Sequence, residues 1–156
     1  MAITTAAGIN STTVTTDQQA PLGFELVVPT ANQGEQVGVY IQAAALLAVG
    51  DIVSRAAGAA SLTLAAAAIA PVNTPTILVA GVAQHVIAAN SYGFIMKKGV
   101  GEVFADTGGI TANNGLKVGN GVPGRADNIA AGDHAFAVTH ETVITTYVET
   151  CLYSSP

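Results

Sequence analysis

The stretch from Thr76 to Ala105, TILVAGVAQHVIAANSYGFIMKKGVGEVFA, constrains the fold of this chain most strongly. Its first half, Ile77 to Ile87, is rich in β-branched and small apolar residues, which favour a strand. The next six residues, AANSYG, supply the Asn, Ser and Gly that are typical of a turn. The second half, Phe94 to Phe104, alternates between two faces and predicts another strand. The pattern as a whole predicts a β-hairpin at the centre of the protein.

Two glycines lie on one face of the second predicted strand. Gly99 and Gly101 share that face with Ile95, Lys97 and Val103. Because a glycine carries no side chain, another backbone or a bulky side chain can approach such a face closely. We therefore expect this face to be tightly covered.

Shorter alternating segments lie on both sides of the central hairpin, separated by turns rich in Gly and Asn. The predicted strands are 24–28, 36–42, 52–55, 116–118, 135–139 and 143–153, and the last two form a hairpin around His140 and Glu141. Residues 56–70 are expected to be irregular with at most one short helix, since their alanines favour helix. The fold class that follows is all-β, a small β-sandwich or barrel-like body over residues 23–156 with an extended N-terminal arm.

The arm is predicted over residues 1–22. It is rich in Thr and Ser, carries one charged residue, and has isolated apolar residues at Ile3, Ile9 and Val14. Such a composition builds no core of its own. Two interpretations follow, a disordered tail and an arm that docks on a partner by strand addition.

The charge content of the chain limits its partners. At 156 residues it fits one domain, and its net charge of −5 argues against nucleic acid or an anionic membrane as partner. Charged residues make up 10% of the chain, against roughly 25% in ordinary soluble domains. A surface so poor in charge protects a monomer weakly from self-association, which predicts a homo-oligomer or a place in a larger assembly.

The single cysteine, Cys151, and an N-terminus without a signal-peptide pattern predict synthesis in a reducing cytoplasm.

Motifs of catalysis or cofactor binding are weak. The segment 119–124, GNGVPG, matches the dinucleotide fingerprint GxGxxG, but Pro123 and the polar residues after it provide no helix, so a turn is predicted. Cys151 on an alternating strand is interpreted as a small buried residue. The pair Lys97-Lys98 is too short for a nucleic-acid site. We therefore predict that the protein is not an enzyme and holds no cofactor.

The three histidines are His85, His134 and His140. One metal site is conceivable, formed by the second and third histidine with Asp133 or Glu141, although no cysteine pair or helical spacing supports zinc. Histidines at strand edges, in contact with water or a neighbouring subunit, are the favoured interpretation. The sequence does not assign their role, and no metal is predicted.

Four segments together resemble the decoration, or cement, proteins of tailed bacteriophages. They are VAGVAQ at 79–84, AANSYGFI at 88–95, KGV at 98–100 and LKVGN at 116–120, whereas Asn113-Asn114-Gly115 stands where these proteins have a Gly-Asp turn. The resemblance implies an all-β protein, commonly a trimer, that binds the major capsid protein on the exterior of the virion and stabilises the shell. It implies no catalytic residues. Under it, Ile3, Ile9 and Val14 are the expected capsid contacts.

Two alternatives remain open at this point. One is another structural part of the virion, such as a head-fibre base or a tail component. The other belongs to a different class, a small ligand-binding or metal-binding β-domain.

Overall fold

The computed structural model describes residues 10–30, 34–56, 63–139 and 147–152, with residue 56 and the last six described by their backbone. This part of the chain forms ten strands and one short 3-10 turn, which confirms the all-β prediction. The strands are β1 (Glu25–Thr30), β2 (Gly34–Gln42), β3 (Ile52–Ala56), β4 (Thr63–Ile69), β5 (Val79–Val82), β6 (Tyr92–Phe104), β7 (Gly115–Val118), β8 (Ala126–Asn128), β9 (Ala137–Thr139) and β10 (Tyr147–Leu152), and the 3-10 turn is Thr76–Leu78.

The larger sheet contains six antiparallel strands in the order β1-β2-β6-β5-β3-β4. It curls into a half-barrel, and β4 returns to the end of β2. There the amide of Ala44 donates a hydrogen bond to the carbonyl of Ala67 at 2.8 Å. The curl encloses one of the core clusters of the protein, built around Ile41, Val53 and Ile95.

The smaller sheet has the order β6-β10-β9-β7-β8 and shares β6 with the larger one. The first half of β6 pairs with β2, and its second half, from Gly99 to Phe104, pairs with β10. A second core cluster, which includes Val103, Leu116 and Phe136, lies beside this sheet. One long strand therefore joins the two sheets.

The prediction for the central hairpin is right for its second strand and wrong for much of its first. Strand β5 has only four residues and meets β6 at Val82 and Met96. The backbone after β5 pairs instead with the segment 43–51: Leu47 and Ile87 exchange two hydrogen bonds, and the amide of Ala83 donates to Asp51. Because these distant partners satisfy the backbone, the first strand ends early.

The expectation of an irregular or helical segment over 56–70 is wrong for its described part. Residues 63–69 are strand β4, which pairs with β3. Leu64, Ala67 and Ala70 are buried in the core. Small alanine side chains let β4 approach the end of β2 closely, and this packing outweighs the helix propensity of alanine.

The tightly covered glycine face is present. A β-carbon at Gly99, whose φ is 123°, would lie 2.8 Å from the Cγ of Gln36 on β2. One at Gly101 would collide with the methyl group of Met96 and lie 2.7 Å from Oε1 of Gln84. Strict alternation fails here because a bulge between β2 and β6 leaves Lys97 as an extra residue.

The remaining predicted strands agree with the structure to within a few residues, whereas β8 (Ala126–Asn128) was not predicted. Strand β1 continues through Pro29, beyond the predicted end at residue 28, because an edge strand tolerates a missing amide. Strands β9 and β10 pair as predicted, and their connecting turn, with His140, lies outside the described residues.

Candidate binding surfaces

The predicted contact residues of the arm fall on both sides of the first described residue. Ile3 and Ile9 lie outside the described ranges. Val14 is half-buried and packs against the core cluster inside the half-barrel. Next to it, Thr15 and Tyr92 exchange backbone hydrogen bonds of 3.0 and 2.8 Å. Residues 10–22 therefore lie along the body, and a contact role for the three apolar residues stays a prediction.

A slot of about 120 Å³ opens beside this segment. Its lining comes from β1, β2, β6 and the two segments 11–12 and 84–85, namely Ser11, Thr12, Val28, Gln36, Gly38, Gln84, His85, Phe94, Ile95 and Met96. The side-chain amide of Gln36 donates to the carbonyl of Val100 at 2.7 Å, and Gln84 exchanges hydrogen bonds of 2.9 and 3.0 Å with the backbone of Glu102. Gln36 thus ties β2 to β6, and Gln84 ties the segment after β5 to β6.

His85 lines this slot and has a buried side-chain nitrogen without a hydrogen-bond partner in the described part of the chain. Its Nε2 is shielded from solvent and has no hydrogen-bond partner among the described residues. Desolvation by burial lowers the pKa of His85. The imidazole is therefore neutral at neutral pH, because burial disfavours the charged form.

The GxGxxG match is a loop, as predicted, and it surrounds a carboxylate. The amides of Gly121 and Val122 donate to Oδ2 of Asp106 at 2.8 and 3.4 Å, while the amide of Thr107 donates to Oδ1 at 2.7 Å. A β-carbon at Gly119 would collide with the same carboxylate. The amides that a nucleotide phosphate would need are thus occupied by the protein's own side chain.

Asp106 is almost fully buried, with 2% of its surface exposed. Desolvation raises the pKa of its carboxyl, but the hydrogen bonds from Thr107, Gly121 and Val122 outweigh this effect and lower the pKa overall. The carboxylate is therefore ionised and acts as the centre that orders the glycine-rich loop.

The conceivable metal site is only partly within the described chain. Oδ2 of Asp133 accepts hydrogen bonds from Nζ of Lys117 at 2.7 Å and from the amide of Ala130 at 2.8 Å. The bond from Lys117 is the main cause of the lowered pKa of Asp133. His134 is exposed, and His140 and Glu141 lie outside the described residues. In the ranges that the structure describes, no three His, Cys, Asp or Glu residues are placed to hold a metal ion.

Cys151 lies on β10, opposite Val100 of β6 and Val138 of β9. Its side chain is outside the described part of the protein, so its burial stays a prediction. Across the described ranges, no helix is long and apolar enough to cross a membrane.

Sequence reasoning missed an apolar surface formed by two loops, which we call the loop face. The segments 43–47 and 87–91 run antiparallel, held by the Leu47–Ile87 pair at 2.9 and 3.0 Å and by bonds that join Ala43 to Asn90 and Ser91. The inward residues are fully buried. The loop face consists of the exposed apolar residues beside this pairing, Ala44, Ala45, Leu46, Val86, Ala88 and Ala89, and the exposed Asn90 lies next to them. The available signal was the similar composition of AAALLAV and VIAA, but nothing in the sequence paired them.

Comparison with known proteins gives a similarity of fold. No family model matches the sequence, and no curated protein is significantly similar to it. Among solved structures, the chain is similar to the N base of the head fibre gp8.5 of bacteriophage phi29, with a TM-score of 0.54 and 14% sequence identity. The similarity covers 77% of this chain and 96% of that chain. At this identity the similarity concerns the fold.

Proposed function

We propose that this protein is a structural protein of a phage virion, attached to the outside of the head. The observation that carries the proposal is the fold that it shares with the base of the phi29 head fibre over most of both chains. The sequence segments that resemble decoration proteins support the same class of function independently. A structural role also agrees with the way in which the acidic groups are used, since Asp106 and Asp133 are held by hydrogen bonds within the protein.

Within this class, the leading form of the proposal is a decoration protein that binds the major capsid protein and stabilises the shell. A ligand that binds the expanded shell and not its disrupted state stabilises that shell by mass action. An oligomer that binds the shell through several contacts at once has a much higher overall affinity than each single contact has. Ile3 and Ile9 are the proposed apolar contacts of the arm, and Val14 has a second role in the body.

The second candidate is the base of a head fibre. It is favoured by one specific observation: the solved structure that shares the fold is itself the base of a head fibre. The two forms differ in copy number, because a decoration protein occupies equivalent sites over the whole shell and a fibre base occupies fewer sites.

The decisive experiment is a count of this protein in purified virions by quantitative mass spectrometry, relative to the major capsid protein. A stoichiometry that matches the lattice supports a decoration protein, and a small fraction of it supports a fibre base. Surface labelling of intact particles should modify this chain if it lies outside. Its absence from purified virions would refute the proposal in both forms.

A binding experiment then tests the arm. Full-length protein and a variant that lacks residues 2–9 are added to heads without this protein, and occupancy and the temperature of DNA release are measured. The truncation ends before Val14 and Thr15, so the described contacts of the body remain. We expect lower occupancy and a lower release temperature for the truncated protein. The double substitution Ile3→Ser with Ile9→Ser is the matched variant of full length, and wild-type occupancy by both variants would refute a contact role for the arm.

A further inference from the structure

We infer that residues 10–15 form a strap along the edge of β6, and that this strap detaches when His85 takes up a proton. The inference stands apart from the proposed function, since it concerns a movement within the body of the protein. It begins from three features that lie together: the slot, a buried nitrogen atom without a partner, and the segment that forms one wall of the slot.

The strap is attached to the body through few contacts. Thr15 and Tyr92 exchange backbone hydrogen bonds of 3.0 and 2.8 Å, as an isolated bridge outside the strands. Val14, next to them, is half-buried against the core cluster inside the half-barrel. Among the described residues, the other hydrogen bonds of the strap are internal or reach only to Asp17. Loss of one backbone pair and one apolar contact would therefore free it.

The chain just after the strap is anchored more firmly. The amide of Gln19 donates to the hydroxyl of Tyr40 at 3.1 Å, and the amide of Gly23 donates to the carbonyl of Tyr40 at 2.8 Å. Thr16 and Asp17, between the strap and these anchors, are exposed. The backbone can turn at these two residues while the chain from Gln19 onwards stays in place.

His85 lies where the strap meets β6. A β-carbon at Gly93, the residue after Tyr92, would lie 3.6 Å from Nε2 of His85. Ser11 and Thr12 of the strap line the same slot as His85. In the described chain Nε2 is shielded from solvent and has no hydrogen-bond partner. A buried polar atom of this kind calls for an explanation, and a movement that admits water to it provides one.

The closed slot opposes a charge on His85. Apart from His85 itself, its lining holds no charged side chain, since β1, β2, β6 and the strap contribute apolar residues, glycine, glutamine and hydroxyl groups. The charged residues nearest to this lining in sequence are Glu35, Lys97 and Lys98, and Lys97 is paired with Glu25 at 2.6 Å. Burial is the cause of the lowered pKa of His85. The charged imidazole therefore gains water only when a wall of the slot moves.

The strap is the wall that can move, because the other walls are strands of the sheet or are tied to it by Gln84. Since the pKa of His85 is lowered while the strap is closed, the closed state loses stability as pH falls below about 6.5. Between pH 7.5 and 5.5 the equilibrium for opening should shift by up to about tenfold. Release of the strap frees about 20 Å of extended chain between the body and the proposed contacts of the arm.

Hydrogen exchange of the full-length protein, followed by NMR, tests the inference. The amides of Thr15 and Tyr92 report the opening of the strap, and the amide of Gly23 reports the anchored chain after it. Protection factors, corrected for the intrinsic pH dependence of exchange, are compared at pH 7.5 and 5.5. We expect the protection of Thr15 and Tyr92 to fall several-fold, by up to about tenfold, at the lower pH, and that of Gly23 to stay constant.

Three variants assign the effect to its cause. His85→Gln removes the ionisable group and keeps a polar side chain, so the pH effect at Thr15 and Tyr92 should disappear. His134→Gln is the matched control, since His134 is exposed and outside the slot, and the effect should persist. Val14→Ser weakens the packing of the strap. Because linkage is reciprocal, it should bring the pKa of His85 closer to 6.5, which NMR titration of the imidazole measures.

Protection at Thr15 and Tyr92 that does not change with pH in wild type would overturn the inference. So would a pH effect that survives His85→Gln or is lost in His134→Gln, an equal loss of protection at Gly23, or an unchanged pKa of His85 in Val14→Ser.

Discussion

Asp106 should stabilise the glycine-rich loop through its charge, and Asp106→Asn tests this. The substitution preserves size but replaces one carboxylate oxygen with an NH₂ group. Both oxygens of Asp106 accept backbone amides, Oδ1 from Thr107 and Oδ2 from Gly121 and Val122. In either orientation the new NH₂ group therefore faces at least one amide donor. An unsatisfied buried donor costs about 1–3 kcal/mol. For a protein of this size, a decrease of 2 kcal/mol in the free energy of unfolding should lower the melting temperature by about 4–8 °C.

The pH dependence separates this mechanism from a general packing defect. Because the pKa of Asp106 is lowered in the folded protein, its stabilisation is complete above the ordinary carboxyl pKa, about 3.9. It is lost as pH falls below that value through the lowered pKa of the folded state. The difference in unfolding free energy between wild type and Asp106→Asn should therefore shrink as pH is lowered from 6 towards 3. Urea titration at several pH values measures it.

Asp17→Asn is the control, since it removes one carboxylate as Asp106→Asn does, but from an exposed position. It should change stability by less than about 0.5 kcal/mol. An Asp106→Asn variant as stable as this control, or a difference that does not change with pH, would refute the role assigned to the carboxylate.

Three further predictions concern stability. Gly101→Ala should destabilise by about 1–3 kcal/mol, mainly because its β-carbon would displace the amide of Gln84 from its two hydrogen bonds with the backbone of Glu102; urea titration should show this. Leu116→Ala, at a fully buried position, should cost about 2–5 kcal/mol in the same assay, and a loss below 1 kcal/mol would contradict its place in the core. Because burial lowers the pKa of His85, wild type should lose stability as pH falls below about 6.5, and His85→Leu should remove this loss. Melting temperatures of the two proteins that change equally between pH 7.5 and 5.5 would disprove this.

Sequence patterns predicted the strands whose information is local. β6 is recognisable because residues 94–104 follow a strand-like pattern, although that pattern does not show the bulge at Lys97, and β7 because LKV stands between glycine-rich turns. β4 could not be predicted, since its alanines favour helix, and neither its pairing with β3 nor its hydrogen bond with Ala44 is visible in the sequence. The early end of β5 has the same cause, because its continuation pairs with the loop around Leu47.

The candidate surfaces were less predictable than the strands. The fingerprint at 119–124 was correctly interpreted as a turn, but nothing in the sequence linked it to Asp106, thirteen residues or more away. The loop face depends on a pairing of segments about forty residues apart, and each segment alone reads as ordinary apolar sequence. Pairing across such distances is specified by packing in three dimensions, which one sequence does not display.

The segment KKGVG explains how one strand can serve two sheets. Before it, β6 follows β2, and after it, β6 follows β10, so the strand must change partners within a few residues. The bulge at Lys97 and the positive φ of Gly99 turn the backbone at this point, and the absent side chain leaves room for Gln36. Gln36 then bonds the carbonyl of Val100, just beyond the change of partner. Because Lys98 pairs with β2 and the next residue, Gly99, pairs with β10, the slot and the loop face on the half-barrel are held in a fixed relation to the smaller sheet. A partner that contacts both sheets thus meets a preformed surface, and little ordering has to accompany binding.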